Sequence, residues 1–194
     1  MPPLLEILGS IPERLYNKHI CHQLGSVGKH TVIKRPCLLQ GGGLKEIHVG
    51  HHTRIQPHSV LECWSIYGNQ SFSPQIHIGD NCKIGEYNHI STCNRITIGD
   101  GILTGRFVLI TDNSHGILSL QTAELEPINR PLVSKGEIKI GNNVWLGDKV
   151  TVLAGVSIGD NVIVGANSVV TKDIPSNSLA VGVPAVVVKH LEDI

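Results

Sequence analysis

The chain has 194 residues, with 16 Lys and Arg against 16 Asp and Glu. That balance excludes the basic excess of a nucleic-acid binder and a polybasic membrane-surface anchor, and no apolar run approaches the roughly 20 residues that a bilayer span needs. Gly is abundant at 21 and aromatic residues are scarce at 4%, a composition suited to a narrow core of small β-branched side chains.

In chain order, the opening MPPLLEILGSIPERLYNKHI has no charged region ahead of its apolar residues and reads as no signal peptide. Residues 3–22 are expected to form a capping helix, within a cap assigned to 1–23. A repeat then begins. Val27, Ile33 and Leu39 are six residues apart, as are Val49, Ile55 and Leu61, and then Ile78, Ile84, Ile90 and Ile96. The register resets at Ile98, Thr104 and Ile110. From Ile140 the rhythm is unbroken through Leu146, Val152, Ile158, Val164 and Val170, with a second set four residues on at Val144, Val150, Val156, Val162, Ser168 and Ile174. Two insertions interrupt it, a short one at 62–75 and a long one at 111–137. A long loop in a compact repeat is usually functional. The closing KDIPSNSLAVGVPAVVVKHLEDI ends the repeat at its prolines and is expected to add a final strand, with 190–194 as a tail.

A period of six fits neither a helix nor an ordinary strand. It suits a short strand plus a tight turn, repeated. Three such units close a triangular coil of 18 residues, and the coils stack at about 4.8 Å. One repeat cannot bury its own apolar face, so stability comes from stacking. Gly follows the apolar position at 141, 147, 159 and 165. Gly and Asn there are expected to supply the positive φ of a sharp corner. The expectation is an all-β parallel β-helix over 24–189, with a short helical cap and one long protruding loop. Five cysteines, an odd number without a CxxC, read as free thiols in a reducing, cytoplasmic compartment.

The run VWLGDKVTVLAGVSIGDNVIVGANSVVTKDIPSNSLAVGVPAVVVK resembles the C-terminal half of the hexapeptide-repeat acetyltransferases, nearest to the O-acetyltransferases of capsular and surface polysaccharide synthesis. VWLG, GANSVVTKDIP and GVPA followed by Lys189 carry the resemblance, with ITDNSHG and RPLVSKG at the two ends of the long loop. It covers the chain from about residue 24. It implies a left-handed coil, against the general right-handed preference of parallel crossovers. It also implies a homotrimer, acetyl-CoA as donor co-substrate without a metal, and a sugar or polysaccharide-precursor acceptor.

Transfer of an acyl group to a hydroxyl needs a base, and a neutral imidazole can take the proton as the oxygen attacks. Among 11 histidines, His115 stands out because it opens the long loop, and it matches the family's catalytic histidine. Asp112, three residues earlier, can orient the ring or serve the turn. The resemblance places an acceptor- or thioester-contacting Asn at Asn88, where a corner role is the alternative. Some relatives carry an acidic residue nearby; this chain has Ser91, Thr92 and Cys93. For the donor, the resemblance puts Trp145 beside the CoA site and Thr171 and Lys172 at its nucleotide end, with Lys172 and Lys189 offering charge to phosphates. Gly147, Ala154, Gly155, Gly165 and Ala166 are small enough to let a pantetheine chain approach the backbone. Many relatives have a basic residue where this chain has Val186 and Val187. Arg130 can grip an acidic sugar, bind a CoA phosphate, or pin the loop.

Three rival readings remain. An N-acetyltransferase of an amino sugar would use the same groove. A γ-type carbonic anhydrase needs a histidine pair five residues apart, which this sequence lacks. A purely structural coil would not bind CoA.

Overall fold

The computed structural model describes residues 12–116 and 119–191. The expected cap therefore lies outside the described residues over 1–11, as do loop positions 117–118 and tail positions 192–194. The chain winds as a parallel β-helix with three sheet faces. The first face stacks Ser26–Val27, Ile47–Val49, Gln75–Ile78, Arg95–Ile98, Ile138–Ile140 and Ser157–Ile158. The second stacks Val32–Ile33, Arg54–Ile55, Lys83–Ile84, Leu103–Thr104, Trp145–Leu146, Ile163–Val164 and Ser178–Val181. The third stacks Cys37–Gln40, Ser59–Cys63, His89–Thr92, Leu109–Thr111, Thr151–Val152 and Val169–Val170.

The six-residue rhythm is the interior of this coil. Ile140, Leu146, Val152, Ile158, Val164 and Val170 are all buried, and so is the companion set Val144, Val150, Val156, Val162, Ser168 and Ile174. Each inward residue sits on its counterpart one turn away, as in Ile55 on Ile84 and Ile110 on Val152. Burial of this ladder is the main stabilising contribution, at roughly 25 cal/mol per Å² of apolar area.

The stacking also locates the insertions. Leu39, Leu61, Ile90, Ile110, Val152 and Val170 form one column, yet successive members are 22, 29, 20, 42 and 18 residues apart. Steps from first to second face and from second to third are always six residues, as in Ile78 to Ile84 to Ile90. All the excess falls at the third corner, between the third face and the next strand of the first. The register reset near Ile96 is one such excess, a two-residue bulge at Cys93 and Asn94.

The corners correct the expected role of glycine. Positive φ falls on Asn143, Lys149, Asn161 and Asn167, two residues after each glycine, as well as on His52, Asn81, Tyr87 and Phe107 in lower turns. Gly141, Gly147 and Gly159 do not have it. They are small because the next coil presses on them: a Cβ on Gly141 would lie 2.5 Å from Asp160 Oδ1 and 2.8 Å from the Gly159 carbonyl carbon. The residue after each of these glycines accepts a backbone N–H from the neighbouring turn. Asp80 N–H donates to Asp100 Oδ1 at 2.8 Å, Asp100 N–H to Asn142 Oδ1 at 2.9 Å, and Asn142 N–H to Asp160 Oδ1 at 2.6 Å.

Both ends of the coil are covered. The helix Glu13–Gln23 buries Ile20 against the first turn, and its Asn17 Oδ1 accepts the Ile33 N–H at 2.7 Å. The Tyr16 hydroxyl accepts the Cys37 N–H at 2.7 Å. Edge donors that would otherwise template another chain are thereby satisfied. At the far end Val186–His190 returns antiparallel along Ser178–Val181, the expected final strand. The five thiols are free, and burial pushes Cys37 and Cys63 up to about 12.

The close fit at Gly141 gives a direct test. Gly141→Ala is expected to cost about 1–3 kcal/mol through overpacking, seen as a melting point lower by roughly 2–12 °C. An unchanged melting point would mean that the coils are not pressed together there.

Candidate functional site

Both insertions emerge at the third corner. The 62–75 excursion forms a hairpin, Ile66–Tyr67 against Gln70–Ser71. The long loop leaves two turns higher, with only the Cys93–Asn94 bulge on the turn between, and its stems pair antiparallel as Asn113–His115 against Leu132–Ser134, with His115 opposite Leu132. The hairpin holds this pair. Gln70 accepts the Leu132 N–H at 2.7 Å and donates to the Leu132 carbonyl at 3.1 Å. The Tyr67 hydroxyl donates to the Ile128 carbonyl at 2.8 Å and lies 3.2 Å from His115 Nδ1. His115 itself is exposed.

Asp112 does not take part in that contact. It is fully buried, and its carboxylate accepts the Cys93 N–H at 2.9 Å, the Asn94 N–H at 3.1 Å and the Thr92 hydroxyl. It holds the two-residue bulge. Of the two roles open to it from sequence, its bonds describe the turn role, and the partner at His115 Nδ1 is Tyr67. Asn88 needs a plain correction. It points into the coil, 1% exposed, donating to the Gly105 and Glu86 carbonyls and accepting the Thr104 hydroxyl at 2.6 Å. A side chain so enclosed cannot reach an acceptor; Asn88 fills a corner because Thr104 leaves a polar gap in the ladder.

Beneath the His115 strand the third face carries a polar chain. Asn113 Nδ2 donates to Ser91 Oγ at 3.1 Å. Glu62 Oε2 accepts the Trp64 indole N–H at 3.2 Å and lies 3.0 Å from His89 Nε2. The ring N–H is not aimed along that line, so the contact is close approach without a straight hydrogen bond. His89 is still the largest influence holding the Glu62 carboxyl below its ordinary range; the Ser91 and Trp64 contacts add to it, and desolvation opposes it.

Arg130 lies in the same corner. Its aliphatic stem packs on Gly116, whose φ is +78°, and its Nε donates to the Leu125 carbonyl at 3.1 Å. With Tyr67, Asn69, Gln70 and Asn129 it lines an open cleft of 550 Å³ between hairpin and loop. Of its three possible roles, the backbone bond and the packing describe loop pinning, while the cleft leaves its outer face available to a ligand.

The expected donor residues separate into two groups. Ala154 and Gly155 lie on the third corner directly above the loop's exit, where the Gly155 N–H donates to the Gly136 carbonyl at 3.2 Å. Thr171 and Lys172 are exposed one turn higher on the same edge. Trp145 stands instead on the outer side of the second face, 49% exposed, in register with Leu103 and Ile163. Lys189 is paired with Leu179 on that face. Gly147 and Ala166 form the corner beside it, where a Cβ on Gly147 would lie 2.6 Å from the Ala166 nitrogen; coil contact alone explains that glycine. In a three-sided coil the second face lies opposite the third corner, roughly 15 Å away for sides of about six residues at ~3.3 Å each. One subunit therefore does not bring its two donor groups together. Among the described residues, no group of three or more His, Cys, Asp or Glu could hold a metal ion.

Sequence reasoning missed Tyr67 and Gln70, which sit in a stretch without the repeat. One signal was available: both insertions follow the same phase of the rhythm, after Leu61 and after Ile110, so both had to emerge on one edge.

Comparison with known proteins agrees with this architecture. Residues 137–172 match the family model described as bacterial transferase hexapeptide (six repeats). The galactoside O-acetyltransferase of Escherichia coli (strain K12) is 38% identical over 191 residues, covering 94% of this chain and 82% of that protein. WbbJ of the same strain, named for lipopolysaccharide biosynthesis O-acetyl transfer, is 42% identical over 118 residues, 59% of this chain and 60% of WbbJ's own length. Among solved structures, a maltose O-acetyltransferase from Clostridium difficile 630 superposes with a TM-score of 0.59 at 28% identity, covering 96% of this chain and 82% of that one.

Two substitutions test the carboxylates at this corner. Asp112→Ala removes the buried acceptor of three donors, of which the Asn94 N–H alone keeps a second partner, Thr92 Oγ1 at 3.0 Å, and is expected to cost about 2–5 kcal/mol in denaturant unfolding; a variant that loses turnover but no stability would return Asp112 to the role of orienting His115. The depressed Glu62 pKa contributes stability that is present above about pH 4.5 and lost as pH falls through the folded-state value. Glu62→Gln is therefore expected to flatten the acid side of a melting-point profile and to leave its alkaline side unchanged.

Proposed function

The chain belongs to the hexapeptide-repeat acetyltransferase family, and from that premise we propose that it moves acetyl from acetyl-CoA to a sugar hydroxyl, with His115 as general base. The observation that carries this reading is the placement of an exposed imidazole at the corner where, among the described residues, every insertion of the coil emerges, held there by a hairpin.

The chemistry follows from that placement. The acceptor hydroxyl gives its proton to His115 as its oxygen attacks the thioester carbonyl. The tetrahedral intermediate collapses, the C–S bond breaks, and the imidazolium returns the proton to the departing CoA sulfur. General-base help of this kind is typically worth about 10²–10⁴-fold. No covalent enzyme intermediate is required, because the thioester is already activated.

The donor fits what the edge offers. Ala154 and Gly155 leave the coil edge low enough for a thin chain, and Thr171 and Lys172 extend the same line upward. Trp145, Ala166 and Lys189 face away from this line within one subunit. We assign them to the neighbouring copy's groove, in a homotrimer whose second face packs beside the third corner of the next chain. Cyclic closure of this kind is the usual solution for such an interface, and pockets favour it. The coil is taken as left-handed, as the resemblance implies, and the compartment as cytoplasmic.

The acceptor class rests on the relatives. The 38%-identical protein matched over nearly the whole chain is named a galactoside O-acetyltransferase, which supports a hydroxyl on a sugar. Asn69, Asn129 and Arg130 give the cleft beside Tyr67 the polar lining that a sugar or a polysaccharide precursor needs.

The test follows free thiol release from acetyl-CoA with hydroxyl sugars and amino sugars as acceptors. His115→Ala is expected to lower kcat about 10²–10⁴-fold, and a faster reaction with amino sugars would turn the reading to N-transfer. Trimers mixed from His115→Ala and Trp145→Ala subunits are expected to regain activity above either parent, since some interfaces then carry both wild-type residues. No regain would sink the shared site.

A further inference from the structure

We propose that Tyr67 is the positioning residue of His115, fixing which ring nitrogen is free to act as base. The inference deepens the acyl-transfer reading and rests on it.

The argument is one of hydrogen-bond capacity. Tyr67 has a single hydroxyl proton, and a backbone carbonyl can only accept. The 2.8 Å contact with the Ile128 carbonyl therefore uses that proton. Towards the imidazole, 3.2 Å away at Nδ1, the phenol oxygen then presents a lone pair. A neutral His115 meets it best with its proton on Nδ1, which leaves the lone pair on Nε2. The opposite tautomer would set two lone pairs against each other. Which nitrogen carries the proton follows here from the bond that the other partner has already made.

Tyr67 is itself firmly placed. Its ring contacts His115 edge-on with centroids 5.4 Å apart, and Trp64 stands at 90° to it with centroids 6.1 Å apart. Three residues along the hairpin, Gln70 grips both the N–H and the carbonyl of Leu132, the residue opposite His115. The 62–75 excursion is thus a buttress. It fixes the backbone beside the histidine through Gln70 and the ring through Tyr67. Asp112, the nearer acidic residue in sequence, is spent on the bulge. A neutral phenol also differs in consequence from a carboxylate: it selects the tautomer without placing a negative charge beside the imidazole.

Tyr67→Phe keeps the ring and removes the hydroxyl. With ¹⁵N-histidine labelling, and with His115→Ala identifying the His115 signals, the wild type is expected to show the Nδ1–H tautomer. Tyr67→Phe is expected to shift the ring toward the Nε2–H form. In the same variant kcat is expected to fall about 10- to 100-fold, as for a misplaced catalytic group, with KM for acetyl-CoA within about twofold and the melting point little changed. An unaltered tautomer in Tyr67→Phe overturns the inference whatever happens to turnover. A shifted tautomer with undiminished kcat overturns the positioning role. Full turnover by His115→Ala is a separate failure, that of the proposed base, and takes the inference down with it.

Discussion

The structure depends on direct stacking of one turn of chain on the next. Every inward side chain rests on its counterpart a turn away, and corner glycines such as Gly141, Gly147 and Gly159 leave no room for a Cβ beneath the coil above. Small inward side chains make the coil narrow. Glycine lets neighbouring corners touch, and an Asp or Asn after it ties successive corners through backbone N–H groups. The parallel sheets are a consequence of this repetition, because a strand that must lie over its own equivalent has only one direction to run.

The same constraint decides where novelty is allowed. Two of the three corners take the chain from one inward position to the next in six residues in every turn. An extra residue there would throw the following strand out of column and turn its side chains to the wrong face. The third corner tolerates departures, and each has its own means of support. The glycine-rich stretch at 41–43 crosses back against Trp64, the two-residue bulge closes on the Asp112 carboxylate, and the long loop closes on its own antiparallel stem. Insertions at one corner are stacked along one edge, and the turn between carries only the short bulge, so the hairpin and the His115 loop meet although 48 residues separate Tyr67 from His115.

On the proposed reading, one edge of one chain holds half a site. The edge supplies the histidine, the small residues above it and a polar cleft, while the exposed indole of Trp145 faces the opposite way on the second face. In the proposed homotrimer a second copy placed against that edge would complete the arrangement without any change of fold. Repetition gives the rigid frame, and the proposed chemistry sits on one edge of it.

The six-residue rhythm by itself determined the coil, its interior and the places where it is interrupted, because an inward column is a strictly local consequence of spacing; Ile140 to Val170 could be assigned to the core from the sequence alone. It also singled out His115, which opens the longest interruption. What the tertiary structure decided was partnership. Asp112 is three residues from His115 along the chain but bonds to the bulge at Cys93 and Asn94 a turn below, since its side chain points into the coil. Asn88 has the residue type of a ligand contact but faces the interior, where Thr104 needs a polar partner. Tyr67 carries no sequence signal, yet stacking brings it to the histidine ring. Gly141, Gly147 and Gly159 look like turn residues and prove to be contact residues, with the positive φ falling two positions later. Each of these depends on which turn lies above which, and that is settled only when the coils are stacked in register.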